Sequence, residues 1–212
     1  MIRLLIADDH QMFREGIKLL LAEEPDFSVV AEAANHAEIN AAIRSQQIDI
    51  AILDLSMPGR DGFEMVTHVK TLHPKLPVLV LTMHMQEQYA IRTLRAGADG
   101  YLTKSYAAEQ LVAAVRRLAA GGQYVCAIVA ERLALGVSRN DANEQPHSRL
   151  TNREYKVFEM LVVGKSGSQI ALELSLSIKT VSTYKVRLLQ KMNMSNQAEL
   201  IHYAIANNLV PS

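Results

Sequence analysis

Five polar side chains, each at the end of an apolar run or within two residues of it, offer this chain its chemistry: Asp8, Asp9, Asp54, Thr82 and Lys104. Carboxylates gathered in one place repel each other, and keeping them ionised requires a compensating cation. A hard divalent ion such as Mg²⁺ suits an all-oxygen donor set and keeps waters that a phosphate can replace. Beside such an ion Asp54 can act as a nucleophile toward a phosphoryl group, because carboxylates form aspartyl-phosphate intermediates. The Lys104 ammonium and the Thr82 hydroxyl would share the charge on the equatorial oxygens, so catalysis there would be positioning and electrostatics. Each residue alone has an ordinary reading, an acidic pair in a solvated turn or a lysine on the surface. Four strand ends carrying the matching polar types argue for a site.

The elements that must position these residues follow from the apolar pattern. Arg3 to Ala7, Phe27 to Ala31, Ile48 to Leu53, Pro77 to Thr82 and Asp99 to Thr103 read as five short strands, apolar enough for a parallel sheet covered on both faces. Helical spacing runs over Met12 to Ala22, Ala37 to Gln46, Glu64 to Leu72, Gln88 to Arg95 and Ala107 to Ala119. This (βα)5 rhythm predicts a doubly wound, flavodoxin-like α/β domain with right-handed crossovers and strand order 2-1-3-4-5. Neighbouring strands then lie about 4.8 Å apart, and the five polar residues border one pocket beyond the carboxyl ends of the sheet.

Composition bounds the rest. The 212 residues suffice for one large domain or two small ones, and 49% hydrophobic with 21% charged residues describes a globular chain. A single cysteine forms no internal disulfide, and no long uncharged apolar run offers a membrane span. Asp8 and Asp9 interrupt the amino terminus before a signal-length stretch develops, which makes the cytoplasm the expected compartment. Formal net charge is zero, yet residues 1–146 carry 14 Lys and Arg against 18 Asp and Glu, whereas residues 147–212 carry 8 against 4. The basic part could face a polyanion.

That second part is helical throughout, an all-α module after a polar linker around 136–148. Thr151 with Glu154 and Ser166 with Gln169 have the form of capping boxes, and Gly164 stands where a helix would stop. Further helices are expected near Ser177 and Ser195, giving four. Ile170, Ala171, Leu174, Leu176, Val181, Val186, Leu188 and Leu189 would pack two crossed helices as a helix-turn-helix. The second of these presents Lys179, Thr180, Ser182, Thr183, Tyr184, Lys185 and Arg187, able to enter a major groove or simply to form a solvated face.

The motifs themselves carry a resemblance. Asp8-Asp9, the run Leu53 to Gly59 with Asp61-Gly62 after it, Thr82, Gly97 to Tyr101 and Lys104 make residues 1–122 similar to a two-component receiver domain. Leu150 to Glu154, Gly164 to Ser166, Gln169 to Ala171, Leu176 to Ser182 and Ala198 to Leu200 make residues 148–212 similar to a LuxR-type domain, with 123–147 between them as linker. Together they resemble a NarL/FixJ response regulator. The resemblance implies phosphorylation of Asp54 by a sensor histidine kinase, with Mg²⁺ held by Asp9, Asp54 and the Ser56 carbonyl directly and by Asp8 through water. Thr82 and Tyr101 would form a switch pair, although Tyr101 also suits a half-buried edge aromatic. Ser182, Thr183 and Val186 would face bases, and Lys165, Thr180, Tyr184, Lys185 and Arg187 the DNA backbone. The helix from Gln197 to Asn207 would pair two copies on promoter DNA or merely close its own bundle, and RNA polymerase is a further implied partner.

Three positions depart from the commoner pattern. Ser105 follows Lys104 where many receivers have proline, Met83 stands where smaller residues are common, and Tyr184 replaces a frequent histidine. Ser56 and His84 lie where the water hydrolysing a phosphoaspartate would approach. A phosphatase of the haloacid-dehalogenase type usually needs a second Asp two residues after the nucleophile, and Ser56 stands there instead. The expectation is therefore a switch that catalyses its own phosphoryl transfer and slow autodephosphorylation, with a permanently locked DNA-binding scaffold as the competing reading. Cys126 is expected as packing, the seven histidines show no metal-ligand spacing, and the nine methionines read as core filler.

Overall fold

The computed structural model describes residues 1–57, 62–83, 87–127, 129–131, 145–207 and 209. The expected Gly59, Asp61 and His84, and most of the polar linker, lie outside the described residues. The chain divides into two compact units, Met1–Val137 and Ser138–Ser212.

In the first unit, strands β1 (Ile2–Ala7), β2 (Phe27–Ala33), β3 (Ile50–Leu53), β4 (Val78–Thr82) and β5 (Gly100–Thr103) alternate with helices α1 (Gln11–Ala22), α2 (His36–Ser45), α3 (Gly62–Leu72), α4 (Glu87–Arg95) and α5 (Ala107–Ala119). All pairings are parallel, in the order β2-β1-β3-β4-β5-β6. The first five strands stand in the expected sequence. The sixth is a correction: Tyr124–Val125, in the stretch expected as linker, adds a short outer strand β6 beside Gly100 and Tyr101. Two half-buried residues show too little periodicity to announce a strand, and only the open edge of β5 makes one of them.

The central strands are apolar because both of their faces are covered; β3, β4 and β5 are buried at every residue. Their amino-terminal ends are tied by ion pairs. Arg3 binds Asp49 through Nη2 and Oδ1 at 2.7 Å and holds that carboxyl down to about 2. Lys70 Nζ reaches Asp99 Oδ2 at 2.9 Å and the Leu76 carbonyl at 3.0 Å, clamping α3 to the start of β4 and β5. Structural charges thus occupy one end of the sheet, leaving the carboxyl ends for the expected pocket.

In the second unit a short 3₁₀ turn, Pro146–Arg149, leads into α6 (Asn152–Val162), α7 (Gly167–Glu173), α8 (Ile178–Met192) and α9 (Gln197–Ala206). Both expected capping boxes form, Thr151 with Glu154 and Ser166 with Gln169. Gly164 has φ +85°, the left-handed conformation that ends α6, while Ser177 caps α8 and Asn196, one residue beyond the expected Ser195, caps α9. Val157, Phe158, Ile170, Val181, Leu188, Leu200 and Ala204 form the core. Val186 does not join it; that side chain is 53% exposed. No described helix is long and apolar enough to cross a membrane.

Candidate functional site

The end of β1 delivers Asp8 and the end of β3 delivers Asp54, side by side because Ala7 pairs with Leu53 and the Asp54 amide donates to the Ala7 carbonyl at 2.9 Å. Both side chains are buried, whereas Asp9 and His10 are exposed at the mouth. Lys104 comes from the end of β5, where residues 104–106 wind into a 3₁₀ turn with a trans Lys104–Ser105 bond. Its ammonium lies 2.5 Å from Asp8 Oδ2 and 2.9 Å from Asp54 Oδ2. The other Asp54 oxygen accepts the Ser56 amide at 3.1 Å.

These contacts set the electrostatics. Burial raises the Asp54 pKa above the ordinary carboxylate value, with Lys104 and the Ser56 amide opposing that rise and the Asp8 charge adding to it. Burial works against the Lys104 ammonium too, but its two carboxylate partners outweigh it and its pKa stands above the usual lysine value.

His10 was not foreseen as a member of this cluster. Its Nδ1 lies 3.0 Å from Asp9 Oδ1 and 3.2 Å from Asp8 Oδ1, and ligand atoms of Asp8, Asp9, His10 and Asp54 all fall within 4.8 Å of one another. The signal was adjacency to the acidic pair rather than any spacing between histidines. Three carboxylates converging on so small a volume are the hard oxygen donors that a divalent cation of the Mg²⁺ class prefers.

Thr82 and Tyr101 sit on adjacent strands, in register through Val80–Tyr101 and Thr82–Thr103. Both are fully buried, and burial pushes the Tyr101 hydroxyl pKa well above its ordinary value. Tyr101 is not the half-buried edge aromatic of the alternative reading, since Val125 of β6 pairs outside it. Three methionines expected in the core are at the surface instead, Met1, Met12 and Met83 at 85%, 89% and 65% exposed; Met57, Met65, Met160 and Met192 are buried, and Cys126 packs inside as expected.

The second unit presents its expected surface on α8. Lys179, Ser182, Thr183, Val186 and Arg187 are exposed, while Thr180, Tyr184 and Lys185 are half-buried. Thr183 Oγ1 donates to the Lys179 carbonyl, and the Thr180 amide donates to the Ser177 cap, which occupies part of the polar capacity of that first turn. Two cations carry partners: Lys185 donates to Gln197 Oε1 at 2.8 Å, and Lys165 pairs with Glu173 at 2.5 Å. The helix is held from behind by Glu154, a buried carboxylate that accepts Lys191 Nζ at 2.7 Å and the Thr151 amide at 2.7 Å. Burial raises the Glu154 pKa, but Lys191 and Thr151 outweigh it and leave the carboxyl below its ordinary value.

Comparison with known proteins matches residues 4–116 to the response regulator receiver domain and residues 148–204 to the LuxR family of bacterial regulatory proteins. Response regulator UvrY of Escherichia coli K12 is 32% identical over 209 residues, covering 99% of this chain and 96% of that protein. Among solved structures, RcsB of Salmonella enterica serovar Typhimurium bound to promoter rprA with the phosphomimetic BeF3- is 27% identical, with a TM-score of 0.68 over 96% of this chain and 98% of that one. A second RcsB structure, two dimers bound to two parallel DNAs, is 27% identical with a TM-score of 0.63 over 97% and 98%.

Proposed function

The chain belongs to the NarL/FixJ family of response regulators, a receiver domain joined to a LuxR-type DNA-binding domain, and from that membership we propose that Asp54 is its phosphoacceptor and that α8 reads promoter DNA in a homodimer. It is a DNA-binding transcription regulator rather than a classical enzyme. The observation that supports the phosphoacceptor reading is the Lys104 ammonium bridging Asp54 and Asp8 at the buried end of the sheet.

The donor is a phosphohistidine of a sensor kinase. One Asp54 oxygen attacks phosphorus, the phosphorus–nitrogen bond breaks, and the kinase imidazole leaves with its electron pair and takes a proton from solvent. The product is an acyl phosphate on Asp54. Asp8, Asp9, Asp54 and the Ser56 carbonyl would hold Mg²⁺, which when bound supplies charge neutralisation for the phosphoryl oxygens. Lys104 carries the remaining positive charge beside Asp54, and Thr82 supplies a hydroxyl from the next strand. Slow hydrolysis of the acyl phosphate resets the protein; Ser56, in the place of a second aspartate, offers no general acid or base for rapid turnover.

Tyr101 would couple the pocket to the surface, as the partner of Thr82. Its ring already lies inward, so phosphorylation would stabilise an arrangement the protein can already adopt, by population shift rather than new packing.

On DNA, Ser182, Thr183 and Val186 would face base edges, with Lys165, Lys179, Thr180, Tyr184, Lys185 and Arg187 toward phosphates. The exposure of Lys179, Ser182, Thr183, Val186 and Arg187 on one helix supports this reading, as does the DNA-bound state of the RcsB structures. One short helix reads few base pairs, and two-fold pairing through α9 doubles both contacts and counterion release. Ile205 on α9, 61% exposed, is an apolar residue available for that pairing. RNA polymerase would be the partner once the dimer stands at a promoter, and the cytoplasm the compartment.

Incubating the full chain with Mg²⁺ and a small phosphodonor should add the mass of one phosphoryl group in wild type and none in Asp54→Asn. Phosphorylation should strengthen binding to DNA. An adduct of equal yield in Asp54→Asn overturns the site assignment, and equal DNA affinity of both proteins with and without donor overturns the coupling.

A further inference from the structure

The Lys104 ammonium is held from three directions, and only two of the holders are carboxylates. The third is the ring of Phe13 on α1, with Nζ over its face 4.5 Å from the centroid. The carboxylates are the partners that phosphorylation would engage elsewhere: an Asp54 oxygen would bond to phosphorus, and Asp8 would be among the residues holding Mg²⁺. The ring face neither ligates a hard cation nor takes a phosphoryl group, so its attraction for the ammonium persists throughout.

We propose that Phe13 is a positioning residue for phosphorylation of Asp54, its ring holding the Lys104 ammonium at the pocket while the carboxylates engage other partners. The role rests on the reading of Asp54 as phosphoacceptor. The ring is fixed to the pocket by the main chain around it. The Phe13 and Arg14 amides both donate to the His10 carbonyl at 3.1 Å, and Arg14 Nη1 donates to the Asp8 carbonyl at 2.6 Å. The first turn of α1 is thereby stapled to the residue that supplies one of the carboxylates. Phe13 and Lys104 also share the wall of an apolar cavity of about 690 Å³ with Met12, Ile17, Leu20 and Ala107. The Lys104 side chain is only 6% exposed, and withdrawing the ammonium from water strengthens its attraction to the ring.

Electrostatic attraction to the ring face differs from simple bulk in its order of substitution. Trp is the best face for a cation, Phe next, and an aliphatic side chain offers none. The chain has no natural Trp, so Phe13→Trp is also a clean fluorescence probe. Phosphorylation of the full chain by a small phosphodonor at saturating Mg²⁺ should slow about three- to tenfold in Phe13→Leu. Phe13→Trp should match or exceed wild type. Phe13→Met, unbranched and equally without a ring face, should slow as Phe13→Leu does, whereas a slowing confined to Leu would come from disturbance of α1. In a Lys104→Met background, Phe13→Leu should have no further effect. The Lys104 side-chain methylene proton signals should be shifted upfield by the ring in wild type and Phe13→Trp, and revert in Phe13→Leu.

A wild-type adduct formed no faster than in both Phe13→Leu and Phe13→Met overturns the role of Phe13 alone. A slowing that persists undiminished without Lys104 does the same, since the ring would then act through packing. Absence of an Asp54 adduct in wild type, with the upfield Lys104 signals present, shows that the phosphoacceptor reading has failed and takes the positioning role with it.

Discussion

Glu173→Gln should tighten the binding of this protein to DNA, although Glu173 is itself no contact in the proposed interface. In the free protein Glu173 at the end of α7 holds Lys165 Nζ at 2.5 Å, and both side chains are at least a third exposed. A phosphate can recruit that ammonium only by breaking the pair or by accepting an adjacent negative charge. Exposed pairs of this kind are worth about 0.5 kcal/mol, within a range of roughly 0 to 1. Two protomers on one duplex then recover about 1 kcal/mol, close to a fivefold gain in affinity. Phosphate contacts are largely independent of sequence, so the measurement needs only mixed-sequence duplex, titrated with phosphorylated full-length protein at several salt concentrations. The gain should be largest at low salt and fade as screening increases. Repeating the comparison in a Lys165→Gln background separates release of the ammonium from the general loss of a negative charge. If Glu173→Gln tightens binding equally without Lys165, the pair has no part in the gain and the placement of Lys165 against phosphate is wrong.

Two further predictions address the scaffolds. Lys191→Met takes the paired ammonium from the buried Glu154 carboxylate and leaves it with Thr151; it should destabilise the second unit by about 1–2 kcal/mol at pH 7 and lower its thermal midpoint by roughly 5–10 °C. Because Glu154 is held below its unfolded value near 4.3, this stabilisation is present above that pH and lost as pH falls through the folded value; the gap between the proteins should narrow only once pH drops below about 4.3, and a gap that stays constant through that lower range counts against the pair. Gly62→Ala should lower the first unit's unfolding midpoint, by about 1–3 kcal/mol of stability, because a Cβ there meets the Leu55 carbonyl carbon at 2.9 Å and Cα at 2.6 Å; an unchanged midpoint would show that the backbone after Asp54 yields freely.

The chain's pattern made the first five strands and the main polar set legible, and the reason is chemical. A parallel sheet buried on both faces writes continuous apolar runs, and a residue at the carboxyl end of each run stands out by contrast. Asp8, Asp54 and Lys104 were found in this way and meet within hydrogen-bond reach. The capping boxes at Thr151 and Ser166 were legible because each needs only residues three positions apart. What escaped depends on long-range placement. Phe13 and Lys104 are distant in sequence, and nothing in either neighbourhood announces a cation over a ring. Strand β6 exists because an edge was open, and Val186 is exposed because it falls on the face of α8 opposite the buried Val181, Leu188 and Met192, which apolar character alone does not reveal.

The pairing of β6 has a mechanical corollary. Beyond the ladder from Gly100 and Tyr101 to Tyr124 and Val125, the Cys126 amide donates to the Tyr101 carbonyl at 3.2 Å. The polypeptide departing for the second unit is therefore moored on the backbone of an aromatic residue three places before Lys104. Sliding that strand along its neighbours drags the mooring with it, so the covalent tether starts from a point whose coordinates are set by the sheet that carries Asp8, Asp54 and Lys104.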